Sequence, residues 1–347
     1  MNTEQLEATA KYLVSKGRGI LAADESMTSA NKRFAAVNVE QTEENRRTYR
    51  EILMMTPAVS DALSGVIFHD ETFWQTLSDG RSFREYCASL NILPGIKVDE
   101  GLIDLPGFPG EKLTKGLDAL PERLAKYRDA GAKFAKWRAV IAIGEGIPTD
   151  NLIGANAFIL ARYARICQEY DIVPIVEPEV LFDGMHTADE CEAVMVRVYN
   201  MLFSFMKEYR VHMPGAILKT GMVLPGKESG IPVEPADVAT RTSRVLKAHV
   251  PAELGGVVFL SGGQTPSQAF LNLNAIAKMG PYPWGLTFSY SRALQDPVLK
   301  FWAEHREDKQ GAMNIFTHQL GVVVKARDGV LDTASLGDDF VSGSQDL

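Results

Sequence analysis

Cysteine is nearly absent from this chain. Only Cys87, Cys167 and Cys191 occur among 347 residues, with no CxxC pair. An odd, widely spaced set offers neither a disulfide framework nor a zinc site, and a reducing, cytoplasmic compartment is the simplest expectation. The six histidines show no HxH or HExxH spacing, which argues against a catalytic metal. His69 reads as a satisfied polar residue near a strand end. No apolar run approaches the length that spans a bilayer. The opening residues, MNTEQLEATAKYLVSKG, have the pattern of a short amphipathic helix with Gly17 as its stop, and lack the apolar stretch of a signal peptide. Positive charge is in deficit: 36 Lys and Arg against 44 Asp and Glu leave -8, so no nucleic-acid partner is expected. An anionic small ligand stays compatible, because a few cations can converge on one pocket. No repeat, low-complexity tract or linker divides the chain. One large domain is expected over 1–326, followed by a flexible tail over 327–347 that is rich in Gly, Asp and Ser.

What recurs is a short apolar run, partly β-branched, that ends in polar or charged residues. Eight are found, at 19–24, 64–68, 92–98, 133–138, 172–177, 216–219, 256–261 and 285–289. Segments with helical periodicity lie between them. Thr42 can cap a helix that runs to Met54, and 155–170 and 191–209 alternate apolar and polar faces. Strand–helix alternation at this interval signals parallel βαβ units, and eight in one undivided chain predict an α/β fold of the (β/α)8 TIM-barrel type.

Active sites of such barrels lie at the carboxyl ends of the strands. The polar residues of this chain collect there: Asp24, His69, Lys97, Lys136 with Arg138, Glu177 with Glu179, Lys219, Ser261, and Ser289 with Arg292. Strand periodicity puts Phe134, Lys136 and Arg138 on one face. A single strand-terminal lysine would ordinarily snorkel to water. Lysines at three strand ends call for a use, because burying cations is expensive. Imine chemistry is that use. A lysine nucleophile must lose its proton, and lowering its free value of ~10.4 to ~7–8 asks for on the order of 4 kcal/mol of differential stabilisation. Burial beside a second ammonium supplies an effect of that size, so either Lys219 or Lys136 is the Schiff-base former and the other its electrostatic partner.

Pro178 cannot donate to a ladder, so pairing is expected to stop there, with Glu177 and Glu179 at the rim for proton transfer. The glycines of Ser261-Gly262-Gly263-Gln264 permit close backbone approach, and with Ser291-Arg292 after the eighth run they make a phosphate site. Ser26, Ser29, Lys32 and Arg33 supply hydroxyls and cations for a second phosphate across the mouth.

The segments Gly19-Ile-Leu-Ala-Ala-Asp-Glu-Ser26, Glu43-Glu-Asn-Arg-Arg47, Gly95-Ile-Lys-Val-Asp99, Phe134-Ala-Lys-Trp-Arg138, Val173-Pro-Ile-Val-Glu-Pro-Glu179, Leu218-Lys219, Phe259-Leu-Ser-Gly-Gly-Gln264 and 284–294 together resemble the class I fructose-bisphosphate aldolases. The resemblance covers about residues 17–325. It implies a lyase of glycolysis and gluconeogenesis that reversibly cleaves fructose 1,6-bisphosphate to dihydroxyacetone phosphate and glyceraldehyde 3-phosphate, with no metal or organic cofactor. It assigns the imine to Lys219, the electrostatic partner to Lys136, acid–base work on the carbinolamine to Glu177, support of the lysine network to Glu179, and the C4 hydroxyl proton to Asp24. Ser261, Gly262 and Arg292 match the phosphate site of the ketose half, and Gly263 and Ser291 beside them are expected to bind substrate as well. Ser26, Ser29, Lys97 and Arg138 match the other. The family is usually a cytoplasmic homotetramer. This sequence departs from the family at Thr220-Gly221, where Pro-Asn is common, at Ser291 in place of glycine, and in having Tyr290 as its last tyrosine where eukaryotic members end in one. The alternatives are a related imine aldolase preferring sedoheptulose bisphosphate or a ketose monophosphate, and a barrel that binds sugar phosphates without turnover.

Overall fold

The computed structural model describes residues 1–332. Ten strands form: β1 (Gly19–Ala23), β2 (Leu63–Phe68), β3 (Leu93–Lys97), β4 (Leu102–Asp104), β5 (Lys112–Thr114), β6 (Phe134–Ile141), β7 (Val173–Val180), β8 (Ile217–Thr220), β9 (Gly256–Phe259) and β10 (Leu286–Tyr290). All but β4 and β5 pair in parallel and close a barrel in the order β1-β10-β9-β8-β7-β6-β3-β2. The eight apolar runs are these eight strands. Their continuous hydrophobicity follows from burial on both faces, with helices covering the outside. Hydroxyl caps set the helix starts: Thr42 accepts from the Asn45 amide at 3.1 Å, and Thr187 with Glu190 forms a capping box at the head of Ala188–Glu208. No helix among the described residues is long and apolar enough to cross a membrane.

The amino end of the barrel is plugged by the N-terminal helix, Thr3–Leu13, which ends short of the expected Gly17. Leu6, Ala10, Leu13 and Val14 pack there against Ile20, Ile67, Phe134, Val173, Ile175, Ile217 and Val258 of the strands. The Phe134 ring fits because Gly95 and Gly65 lie on neighbouring strands. A Cβ on Gly95 would stand 2.3 Å from the ring and one on Gly65 2.9 Å. A bottom sealed this way leaves only the carboxyl end open to ligand.

Two expectations need correction. Strand β7 does not stop at Pro178, since Pro178 pairs with Ala139 and Val180 with Ile141. Val173 and Leu181 donate their amides towards β6, so odd-numbered residues of β7 face β6 and both prolines face β8. Pairing with β8 has already ended at Val176, where a missing donor costs nothing. The short antiparallel hairpin β4–β5 has no counterpart among the eight expected runs; its strands have three residues each and are joined through Leu105-Pro-Gly-Phe-Pro-Gly110. The expected tail begins too early. Helix Lys309–Arg327 holds residue 327, and Leu331 is buried with its amide on Asn274. The remainder of that tail lies outside the described residues.

Gly95→Ala is expected to destabilise the fold by about 1–3 kcal/mol through overpacking against a ring that Gly65's strand prevents from yielding. Urea denaturation measures it, and an unchanged midpoint would mean that the barrel floor has slack this packing denies.

Candidate active site

The strands deliver their polar ends to one cleft of about 910 Å³ at the carboxyl end of the barrel. Asp24, Ser26, Ser29, Lys97, Lys136, Arg138, Glu177, Glu179, Lys219, Ser261, Gly262, Ser291 and Arg292 all line it. Of the residues expected from the sequence, only Gly263 does not; the position of its missing Cβ lies 3.5 Å from the Arg292 guanidinium, so it gives that side chain room. Its φ of 97° and the 60° of Gly262 require the left-handed region, which makes both glycines conformational choices.

At the centre, one carboxylate serves two amines. Glu177 Oε1 lies 3.0 Å from Lys219 Nζ, and Oε2 lies 3.1 Å from Lys136 Nζ. Lys136 has a second partner, Asp24, at 2.6 Å. The side chains of Lys136, Glu177 and Lys219 are each 4 % exposed, so none can trade its partner for water. Strand register produces the arrangement. Arg138 is level with Glu177, yet the ion pairs run on the diagonal, Lys136 with Glu177 and Arg138 with Glu179. Glu179 therefore supports an arginine, not the lysine network. Lys97 is held by the Asp99 carboxylate at 2.8 Å. Four cations thus meet four carboxylates, which corrects the expected crowd of positive neighbours.

Burial opposes ionisation of Asp24, but the ammoniums of Lys136, Lys219 and Lys97 outweigh it and hold the carboxyl well below the usual carboxylate range. Burial likewise opposes charge on Lys136, and Asp24, Glu177 and Asp99 outweigh it, so Lys136 titrates above an ordinary lysine. Lys136 keeps its proton.

Two further cations of the cleft stand outside these pairings: among the described residues neither Lys32, in the helix capped by Ser26, nor Arg292, which opens the helix Arg292–Glu304, is in an ion pair. Ser26 accepts from the Ser29 amide at 3.3 Å. Arg33 is not free for a ligand, because it is tied to Glu25 at 2.6 Å and Asp296 at 2.8 Å. Ser291 donates to Glu25 at 2.6 Å, so its hydroxyl is directed at that carboxylate. Thr220 bonds to Tyr199 of the covering helix, on the outer face of β8 from Lys219. Among the described residues no group of His, Cys, Asp or Glu side chains is placed to hold a metal ion.

Glu25 and Asp99 are site residues that the sequence reading passed over. Asp99 follows Lys97 by two, the spacing that shares a strand face, and this was the available signal. Leu102, Arg123 and Tyr127 also line the cleft, contributed by the hairpin and the helix after it. Nothing local marked them.

Comparison with known proteins agrees with this geometry. The profile of the family described as fructose-bisphosphate aldolase class-I matches residues 5–341. A probable fructose-bisphosphate aldolase class 1 of Xanthomonas axonopodis pv. citri is 50% identical over 304 residues, covering 88% of this chain and 91% of that protein. The cytosolic fructose-bisphosphate aldolase 4 of Arabidopsis thaliana is 47% identical, covering 91% and 81%. A crystal structure of the Plasmodium falciparum fructose-bisphosphate aldolase, in complex with TRAP and a small-molecule inhibitor, superposes with a TM-score of 0.93 at 44% identity, covering 95% of this chain and 96% of that one.

A depressed carboxyl stabilises the fold fully above its unfolded value of ~3.9 and loses that contribution as pH falls through the folded value. The stability difference between the wild type and Asp24→Asn should therefore shrink as pH drops below about 4. Unfolding free energies from urea titrations across pH 2–7 test this; a constant difference would contradict it.

Proposed function

Because this chain belongs to the class I fructose-bisphosphate aldolase family, and is therefore an aldolase of glycolysis, we propose that Lys219 forms its imine and that fructose 1,6-bisphosphate is the sugar it cleaves. The carrying observation is the Glu177 carboxylate divided between Lys136 and Lys219. Lys136 holds two carboxylates and Lys219 half of one, so Lys219 is the amine that gives up its proton to attack. Glu177, in reach of both, receives and returns protons.

In the cleavage direction the Lys219 amine adds to the ketose carbonyl at C2. Glu177 delivers the proton that lets the carbinolamine hydroxyl leave as water, giving a protonated imine. Asp24 takes the C4 hydroxyl proton, the C3–C4 bonding pair moves into the imine, and the aldehyde half departs. Protonation of the enamine at C3 and hydrolysis release the second triose phosphate and restore the amine. Lys136 keeps its charge beside the reacting centre and stabilises the negative charge that develops there.

The central charges are already balanced, so a bisphosphate needs counter-cations elsewhere. Arg292 beside the Gly262-Gly263 loop and Lys32 in the Ser26-capped helix supply them. The family resemblance sets Lys97 and Arg138, with Ser26 and Ser29, about the second phosphate. A homotetramer and a cytoplasmic location are part of the same proposal. The first rests on the family resemblance, the second on the cytosolic Arabidopsis relatives. Comparing kcat/KM across sugar phosphates ranks the bisphosphate against sedoheptulose bisphosphate and ketose monophosphates.

Lys219→Met should lower turnover by on the order of 10^4-fold or more, and borohydride with the ketose phosphate should leave no adduct on it. Lys136→Met should still be trapped, more slowly. A chelator should leave the wild-type rate unchanged. An adduct that persists in Lys219→Met would refute the assignment.

A further inference from the structure

Residues Ala23, Phe68 and Ile96 lie side by side on β1, β2 and β3. The next residues on the three strands are Asp24, His69 and Lys97, and all three line the cleft. Neighbouring strand ends thus present a carboxylate, an imidazole and an ammonium in one row. Asp24 and Lys97 have protein partners in Lys136 and Asp99. His69 Nδ1 accepts from the Glu71 amide at 3.4 Å as the cap of the helix Asp70–Trp74. A ring nitrogen that accepts carries no proton, so the neutral imidazole carries its proton on Nε2. Burial, helped by Arg50 and Lys97, keeps the ring neutral against the opposing pull of Asp24 and Glu71.

We propose that His69 is a specificity-determining residue whose Nε2–H donates to the C5 hydroxyl of the sugar. This rests on the lysine-imine reading above, in which Asp24 serves the C4 oxygen, and on the family resemblance, which sets Lys97 beside the phosphate on C6. The group between those two on the wall meets the oxygen between those two on the chain, which is C5. In the condensation direction that oxygen is the 2-hydroxyl of glyceraldehyde 3-phosphate. A neutral donor there selects aldehydes that carry a hydroxyl next to the carbonyl and adds no charge to a balanced cleft.

Two substitutions separate this role from capping. His69→Asn places an amide oxygen where Nδ1 caps the helix but is too short to reach the cleft. His69→Gln places an amide N–H near the position of Nε2 and gives up the cap. Condensation of dihydroxyacetone phosphate is measured with glyceraldehyde 3-phosphate and with 3-oxopropyl phosphate, which lacks the hydroxyl. The wild type should prefer the hydroxylated aldehyde in kcat/KM, and His69→Asn should shrink that preference about 3- to 10-fold. His69→Gln should keep most of it while melting at a lower temperature. A preference unchanged in His69→Asn, or lost only in His69→Gln along with stability, would overturn the proposal. Borohydride trapping of dihydroxyacetone phosphate should be equal in the wild type and His69→Asn. Failure to trap the wild type would defeat the imine reading instead, independently of His69.

Discussion

The carboxylate of Glu177, buried and shared by two lysines, is the constraint on which this site depends. Two ammoniums cannot both be satisfied by one carboxylate in a place that water does not reach. Asp24 resolves the conflict by taking Lys136, which fixes one amine as a permanent cation and leaves the other with a single shared oxygen. The difference between two chemically identical side chains is therefore produced by one extra carboxylate on β1, across the barrel from Glu177. Barrel closure is what brings it there. Strands β1 and β6 are not neighbours in the sheet, and only the curvature of the closed barrel lets their ends meet.

The rest of the architecture protects that arrangement. The N-terminal helix and the Phe134 ring seal the floor, so the buried charges face one opening. The diagonal pairing of β6 with β7 sends the two β6 cations to different carboxylates, Arg138 to Glu179 and Lys136 to Glu177. A cleft balanced at its centre, with Lys32 and Arg292 left outside the ion pairs, fits a ligand with an uncharged reacting carbon and phosphates at its extremities. Catalysis by an electron-sink imine places the same demand on the protein. One amine must be reactive, one cation fixed, and one carboxyl group mobile in its proton.

Much of this could be read from the residues before any coordinates. The eight apolar runs were legible because both faces of a barrel strand are buried, which leaves an uninterrupted β-branched signal ending in a charge. Lys136 and Arg138 could be placed on one face by alternation alone. The ambiguity between Lys136 and Lys219 could not be resolved that way, since it depends on Asp24, more than a hundred residues distant. The pairing of Glu179 with Arg138, and not with a lysine, depends on strand tilt that a linear pattern does not encode. Pro178 misled because a proline's effect depends on which neighbour its nitrogen faces, and here that neighbour had already ended. The β4–β5 hairpin was invisible because its strands have three residues each, β4 is exposed, and the link between them is Pro- and Gly-rich. Ser291 was legible as a departure from the family but its partner, Glu25, was not.

The most direct test of the central claim compares the two amines themselves. Reductive methylation of the free enzyme with formaldehyde and cyanoborohydride, resolved by peptide mass spectrometry across pH 6–11, reports which lysine offers an unprotonated amine. The account predicts that Lys219 is modified first and that Lys136 resists modification until far more alkaline conditions. Faster modification of Lys136, or equal rates for the two, would contradict it.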